Sequence, residues 1–215
     1  VSSTATAQQQ FDALIASTEL VAGAGMGVAA TAPEYRFDAE RTIGSLAKSL
    51  AAIHQCSIEQ QTQQLEPVLG LVPQQHCYLT PELLVKRAHL LGADTVSGPN
   101  ELSAAYRHVS RDRLLQILHQ GAAALVLPVK ELVLIQGNPR LSNLRFLGQE
   151  LLGFEDWSQA ALGDPYFDLA LASTDLLGNF GPQPIQSFFG IYGLERPDPL
   201  RLDWYLLAVE LCTQR

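Results

Sequence analysis

The chain has 215 residues, 47% of them apolar and 17% charged, which suits one packed domain or a domain and a part and excludes a disordered chain. Its net charge of −8 argues against nucleic-acid phosphates or an anionic membrane surface as partner. Its three cysteines, Cys56, Cys77 and Cys212, are far apart and form no CxxC pair, so neither a disulfide framework nor a zinc site is expected, and a reducing cytoplasm is. No apolar run approaches the ~20 residues of a membrane span. The start at Val1 lacks the basic and apolar regions of a signal peptide and reads as a trimmed or processed start.

Residues 1–10 are small and polar, as in a frayed terminus, and residues 11–22 are β-capable. Gly23-Ala24-Gly25-Met26-Gly27-Val28 has the glycines of a phosphate cradle, but neither a helix nor a Lys follows, so a hinge loop is the stronger reading. The first lysine is Lys48. Residues 39–54 predict a helix with Asp38 as N-cap and Ile43, Leu46, Leu50 and Ile53 along one face. His54 at its end reads as capping or packing rather than as a metal ligand beside Cys56, and His76 beside Cys77 reads the same way. Residues 57–79, Gln-rich with Pro67 and Pro73, read as a surface excursion. Thr80-Pro81-Glu82 opens a second helix that Gly92 stops. Its Lys86, Arg87 and His89 suit the negative helix end and a solvated face. After a loop at 94–99, a third helix from Asn100 would carry Tyr106, Arg107 and His108, and Ser110 restarts one through Leu114, Leu115, Ile117 and Leu118.

Residues 131–170 organise the rest. A buried strand at 132–135 runs into the polar loop Gln136-Gly137-Asn138-Pro139-Arg140-Leu141-Ser142-Asn143. A hairpin follows: strands at 144–147 and 150–154 around a Gly148-Gln149 turn. It ends at Glu155-Asp156-Trp157, from which a loop leads to Gly163-Asp164-Pro165, a helix start with Asp164 as N-cap and Pro165 in the first turn. The helix runs over 165–177, and Asp168 within it reads as a buried carboxylate fixing the preceding loop. Two closing helices at 184–194 and 199–213 place Phe188, Phe189, Tyr192, Trp204, Tyr205 and Leu211 in the core.

The loop at 136–143, Glu155-Asp156-Trp157 and Gly163-Asp164-Pro165-Tyr166-Phe167-Asp168-Leu169-Ala170, at this spacing, resemble the catalytic core of the aminoglycoside phosphotransferase and choline kinase-like family. That family reads His-Gly-Asp-x-x-x-x-Asn, a hairpin, Ile/Leu-Asp-Trp and Gly-Asp-Pro-x-x-Asp-Leu-Ala. The wording around Pro139, Arg140, Asn143 and Leu144 is most similar to bacterial phosphotransferases related to the kinase-like domain found beside acyl-CoA dehydrogenases. The resemblance implies an α+β, mainly helical, protein kinase-like C-lobe at 24–215 with a small β-hairpin catalytic region at 131–170. A tail and hinge-like strand at 1–23 would precede it, with the N-lobe and its strand Lys largely missing. It implies Asn143 and Asp156 as Mg²⁺ ligands, Gln136 and Arg140 as nucleotide-binding positions, and Asn138 at the catalytic position.

Two positions depart from the family pattern: its catalytic Asp is Asn138 here, and its leading His is Gln136. An amide oxygen can orient an acceptor hydroxyl but cannot hold its proton at neutral pH, and losing a positioned base removes roughly 10²–10⁴-fold in rate. The expectation is an ATP- and Mg²⁺-dependent small-molecule phosphotransferase scaffold impaired in catalysis, cytoplasmic, with a small hydroxyl acceptor. The alternative is a non-catalytic, pseudokinase-like binding or assembly protein, with a protein partner or self-association and without a cofactor. A third reading makes the Gly-Asn-x-x-x-x-Asn loop simply a turn whose side chains satisfy backbone groups.

Overall fold

The computed structural model describes residues 38–55, 78–93, 106–147 and 150–212. The expected tail and hinge strand at 1–23, the 23–28 loop, Arg36, most of the 57–79 excursion with His76 and Cys77, the 94–99 loop, the helix start at Asn100 and the Gly148-Gln149 turn lie outside the described residues.

Helix α1 (Ala39–Gln55) begins where Asp38 Oδ1 accepts the amide of Arg41 at 3.0 Å, satisfying one of the amides a helix start leaves without a partner. Its inward face is Ile43, Leu46, Leu50 and Ile53, each at most 2% exposed. Burying such side chains contributes roughly 1.5–3 kcal/mol apiece before the entropy of ordering them is set against it. After the short strand β1 (Tyr78–Leu79), helix α2 (Pro81–Ala93) is capped by Thr80 Oγ1, which accepts the amide of Leu83 at 3.3 Å. Gly92 sits in its last turn. Tyr106, Arg107 and His108 form a turn, not the expected helix. Ser110 behind them is extended (φ −63, ψ 146), which separates the two segments, and its side chain caps helix α3 (Arg111–Ala122) at the amide of Arg113.

Strands β2 (Val133–Ile135), β3 (Leu144–Leu147), β4 (Glu150–Phe154) and β5 (Ala161–Gly163) follow. β3 and β4 form the expected hairpin, with a register shift at Arg145/Phe146. β5 corrects the expectation of a continuous loop between Trp157 and Gly163. It lies between β1 and β2, parallel to β1 (Leu79 opposite Gly163) and antiparallel to β2 (Leu134 opposite Leu162). Three residues ending in Gly carry no period of their own, so pairing on both sides is what makes them a strand. Tyr78 and Leu79 become β1 by pairing with β5 on one side, rather than the end of a surface excursion. A Cβ at Gly163 would come within 2.9 Å of Ile135 Cδ1 and 3.3 Å of the Leu79 carbonyl oxygen, so the glycine lets β5 sit close to both neighbours.

Helix α4 (Pro165–Phe180) starts with Asp164 accepting the amide of Tyr166 at 2.9 Å and runs a turn beyond the expected end, to Gly181. Helices α5 (Ile185–Tyr192) and α6 (Pro199–Cys212) close the chain. α1 packs on α5, α4 on α6, and α2 on both α3 and α6, while β2 lies against α1 and α4. Phe188, Phe189 and Tyr205 are buried in the shared core. Trp204 stands edge-on to Tyr205 at 5.0 Å and donates its indole N–H to the Leu118 carbonyl. Among the described residues, no helix is long and apolar enough to cross a membrane.

Candidate active site

The loop 136–143 leaves β2, at the edge of the three-stranded sheet, and enters β3, so both of its ends are held by strands. Asp168, on the first turn of α4 and fully buried, reaches its start. Its Oδ2 accepts the Gln136 amide at 2.6 Å and its Oδ1 the Gly137 amide at 2.9 Å. Asp168 thus fixes the loop through hydrogen bonds, the role read for it from its place in the motif. Gly137 has φ +85, and a Cβ there would lie 2.1 Å from the Gln159 carbonyl oxygen, so the 157–160 segment presses against bare backbone.

Behind Asp168 stands His54, 7% exposed. Its Nε2 lies 3.1 Å from Asp168 Oδ2 and its Nδ1 lies 2.9 Å from the Tyr192 hydroxyl. Burial, then the nearby Asp168 and Asp164 carboxylates, push the Tyr192 phenol far above its ordinary value, so it stays protonated. The Asp168 oxygen accepts here, so Nε2 of the ring carries a proton and donates it to Asp168, while the Tyr192 hydroxyl is hydrogen-bonded at Nδ1. His54 is therefore a packing residue, as read from sequence, and also a link that sequence did not reveal.

Gln136 is fully buried. Its Nε2 donates to the Asp156 carbonyl and its Oε1 accepts the Asn138 amide at 2.7 Å. Both polar ends are engaged within the protein, so Gln136 clamps the loop to the 156 segment. Asn143, 5% exposed, does related work from the other end. Its Nδ2 donates to the carbonyls of Asn138 and Asp156 at 3.1 and 3.0 Å, and its Oδ1 accepts the Asp156 amide at 2.8 Å. The loop ends at 138–143 and 156 are thus brought side by side, as the motif spacing predicted.

Three further residues lie on the loop and at its junction with the 156 segment. Asn138 is half-buried; its backbone amide donates to Gln136, and its side-chain amide makes no hydrogen bond among the described residues. Arg140 is exposed at the loop's bend, where its amide bonds the Asn138 carbonyl at 2.8 Å. Asp156 is exposed, with Oδ1 accepting the Ser158 amide at 2.8 Å. No group of three or more His, Cys, Asp or Glu side chains that could hold a metal occurs among the described residues. Asn143 Oδ1 already accepts the Asp156 amide, so the Asn143 side chain and Asp156 meet at one junction. Mg²⁺ commonly takes one or two side-chain oxygens and completes its octahedron with phosphate and water, and these two residues are the ones that would offer such oxygens here.

The sequence model of the family described as the phosphotransferase enzyme family matches residues 18–205. Among solved structures, an aminoglycoside phosphotransferase from Streptomyces rimosus superposes with TM-score 0.62 at 22% identity, over 84% of this chain and 66% of that one. An aminoglycoside-3'-phosphotransferase of type VIII gives TM-score 0.65 at 21% identity, over 86% of this chain and 66% of that one. A type I macrolide 2'-phosphotransferase gives 0.54 at 18% identity, over 81% and 51%. The Streptomyces rimosus enzyme is also seen in complex with ADP and streptomycin. At these identities the likeness establishes the kinase-like fold. The chain spans about two thirds or less of the length of these structures.

Proposed function

The chain belongs to the phosphotransferase enzyme family, and on that premise we propose that it is an ATP-dependent small-molecule phosphotransferase scaffold whose catalysis is impaired at Asn138. The observation that carries this reading is a loop held in place on every side while the one side chain at its working position is an uncharged amide. The Asn143 oxygen and the Asp156 carboxylate would hold Mg²⁺, and Arg140 would meet the nucleotide phosphates as a fixed cation. Bound there with ATP, Mg²⁺ supplies neutralisation of the phosphoryl oxygens. Asn138 Oδ1 accepts a hydrogen bond from the acceptor hydroxyl and orients it, but it cannot take the proton, which must pass to water. The complex of a fold relative with ADP and streptomycin supports a nucleotide and a small hydroxylated acceptor as the ligand classes. Use of ATP as donor supports a cytoplasmic location.

A second reading, a pseudokinase-like binding or assembly protein, is favoured by Gln136. A neutral imidazole could donate at one nitrogen and accept at the other, and the Gln side chain makes that same pair of bonds with no titratable group. The loop is therefore held at this position without the family's imidazole.

The separating experiment is calorimetry with ATP and Mg²⁺, followed by turnover assays. Saturable, Mg²⁺-dependent binding that Asp156→Ala abolishes supports the nucleotide site, and absence of binding at millimolar ATP sinks it. Asn138→Asp should then raise phosphoryl transfer, to water or an acceptor, by roughly 10²–10⁴-fold. Binding without any gain in turnover favours the second reading.

A further inference from the structure

Asp168 and Asp175 stand seven residues apart on α4, two turns and about 10.5 Å along one face. Both carboxylates receive backbone amides of the same loop. Asp168 takes Gln136 and Gly137 at the loop's start, and Asp175 Oδ2 takes the amide of Leu141 at 2.8 Å. Leu141, 2% exposed, opens the single 3-10 turn Leu141–Asn143. That turn's own bonds are few: the Asn143 amide to the Arg140 carbonyl at 2.9 Å and the Leu144 amide to the Leu141 carbonyl. Hydrogen-bond geometry in 3-10 turns is poor, so an outside acceptor at the first amide decides whether the turn holds its direction. The turn aims Asn143 at the Asp156 backbone, where its side chain makes one bond to the amide and one to the carbonyl.

We propose that Asp175 is a positioning residue that sets the Asn143–Asp156 end of the loop, while Asp168 sets its Gln136–Gly137 start, the two ends being joined through the Gln136 and Asn143 side chains. The metal-and-nucleotide side and the acceptor side of the site are then held by different carboxylates of one helix. The functional half of this statement rests on the proposed roles of Asn143 and Asp156, while the tether itself does not.

The test is amide hydrogen exchange on the full chain, paired with calorimetry of ATP and Mg²⁺, for the parent protein, Asp175→Ala and Asp175→Asn. Asp175→Ala should speed exchange at Leu141 and at the Asp156 amide about tenfold or more and weaken Mg²⁺-dependent ATP binding by a similar factor. The Gln136 and Gly137 amides should stay as protected as before. Asp175→Asn, which keeps an acceptor oxygen, should restore most of both. Faster exchange at Leu141 alone, or equally at Gln136 and Gly137, overturns the proposal. If the parent protein binds no nucleotide, the nucleotide reading falls while the exchange pattern still decides the tether. Should Asp175→Ala fail to fold, Asp175→Glu, with its carboxylate one methylene out of place, must show the same split between Leu141 and Gly137, or the proposal is wrong.

Discussion

Two buried carboxylates one helical turn apart, Asp164 capping α4 and Asp168 in its first turn, do different work. Asp164, 2% exposed, takes all its partners from the scaffold. It caps the amide of Tyr166, accepts the Tyr205 hydroxyl at 2.9 Å and pairs with Arg201, whose guanidinium also lies 4.5 Å from the Tyr166 ring centre. Asp168, fully buried, takes its partners from the loop and from His54. Asp164 joins α4 to α6. Asp168 joins α4 to α1 and to the loop that carries Asn138. A buried carboxylate is thus no sign of a functional site by itself, and the partners decide.

The largest effect should come from Asp168→Ala. It leaves two buried loop amides and the His54 ring without an acceptor, and breaking such a buried network costs about 3–5 kcal/mol. Urea unfolding measures the loss, and hydrogen exchange at Gln136 and Gly137 should rise beyond what the global loss explains. Asp164→Ala should cost less, about 2–3 kcal/mol, because the Arg201 side chain is 22% exposed and can turn to water. Exchange in the loop should then change only by the global amount. If Asp164→Ala loosened the loop as Asp168→Ala does, the division between the two carboxylates would be wrong.

Alkaline pH sharpens the same comparison. Burial, then the Asp164 charge and its hydrogen bond, raise the Tyr205 phenol above its ordinary value of 10.0. The folded state therefore favours the neutral phenol, while the unfolded chain releases that proton near pH 10. Stability from this group is full below that pH and falls as pH rises above it. Tyr205→Phe should cost about 1–1.5 kcal/mol at neutral pH and flatten the fall of the urea midpoint between about pH 9.5 and 11.5. An unchanged slope would mean Tyr205 is not the group responsible. Tyr192→Phe should be mildest, about 0.5–1 kcal/mol, since it removes only the hydroxyl that touches His54 Nδ1. A loss as large as that of Asp168→Ala would show that Tyr192 carries the network.

The helices and the three motifs were readable from the chain alone because their causes are local. Asp38, Thr80, Ser110 and Asp164 each cap a helix through an amide two or three residues on, and the apolar spacing of Ile43, Leu46, Leu50 and Ile53 is the spacing of one helix face. The order of polar loop, hairpin, Asp156 and Gly163-Asp164-Pro165 likewise announced the family and the pairing of the loop ends. Tertiary structure decided the rest. β1 and β5 exist only because distant strands pair with them. His54 meets Asp168 across 114 residues and Tyr192 across 138. Gln136 could be recognised as a clamp only once the Asp156 carbonyl lay beside it, and Asp175 as a tether only once Leu141 did. A cap or a period is written in neighbouring residues. A buried hydrogen bond between distant residues forms only where the whole core has already brought them together.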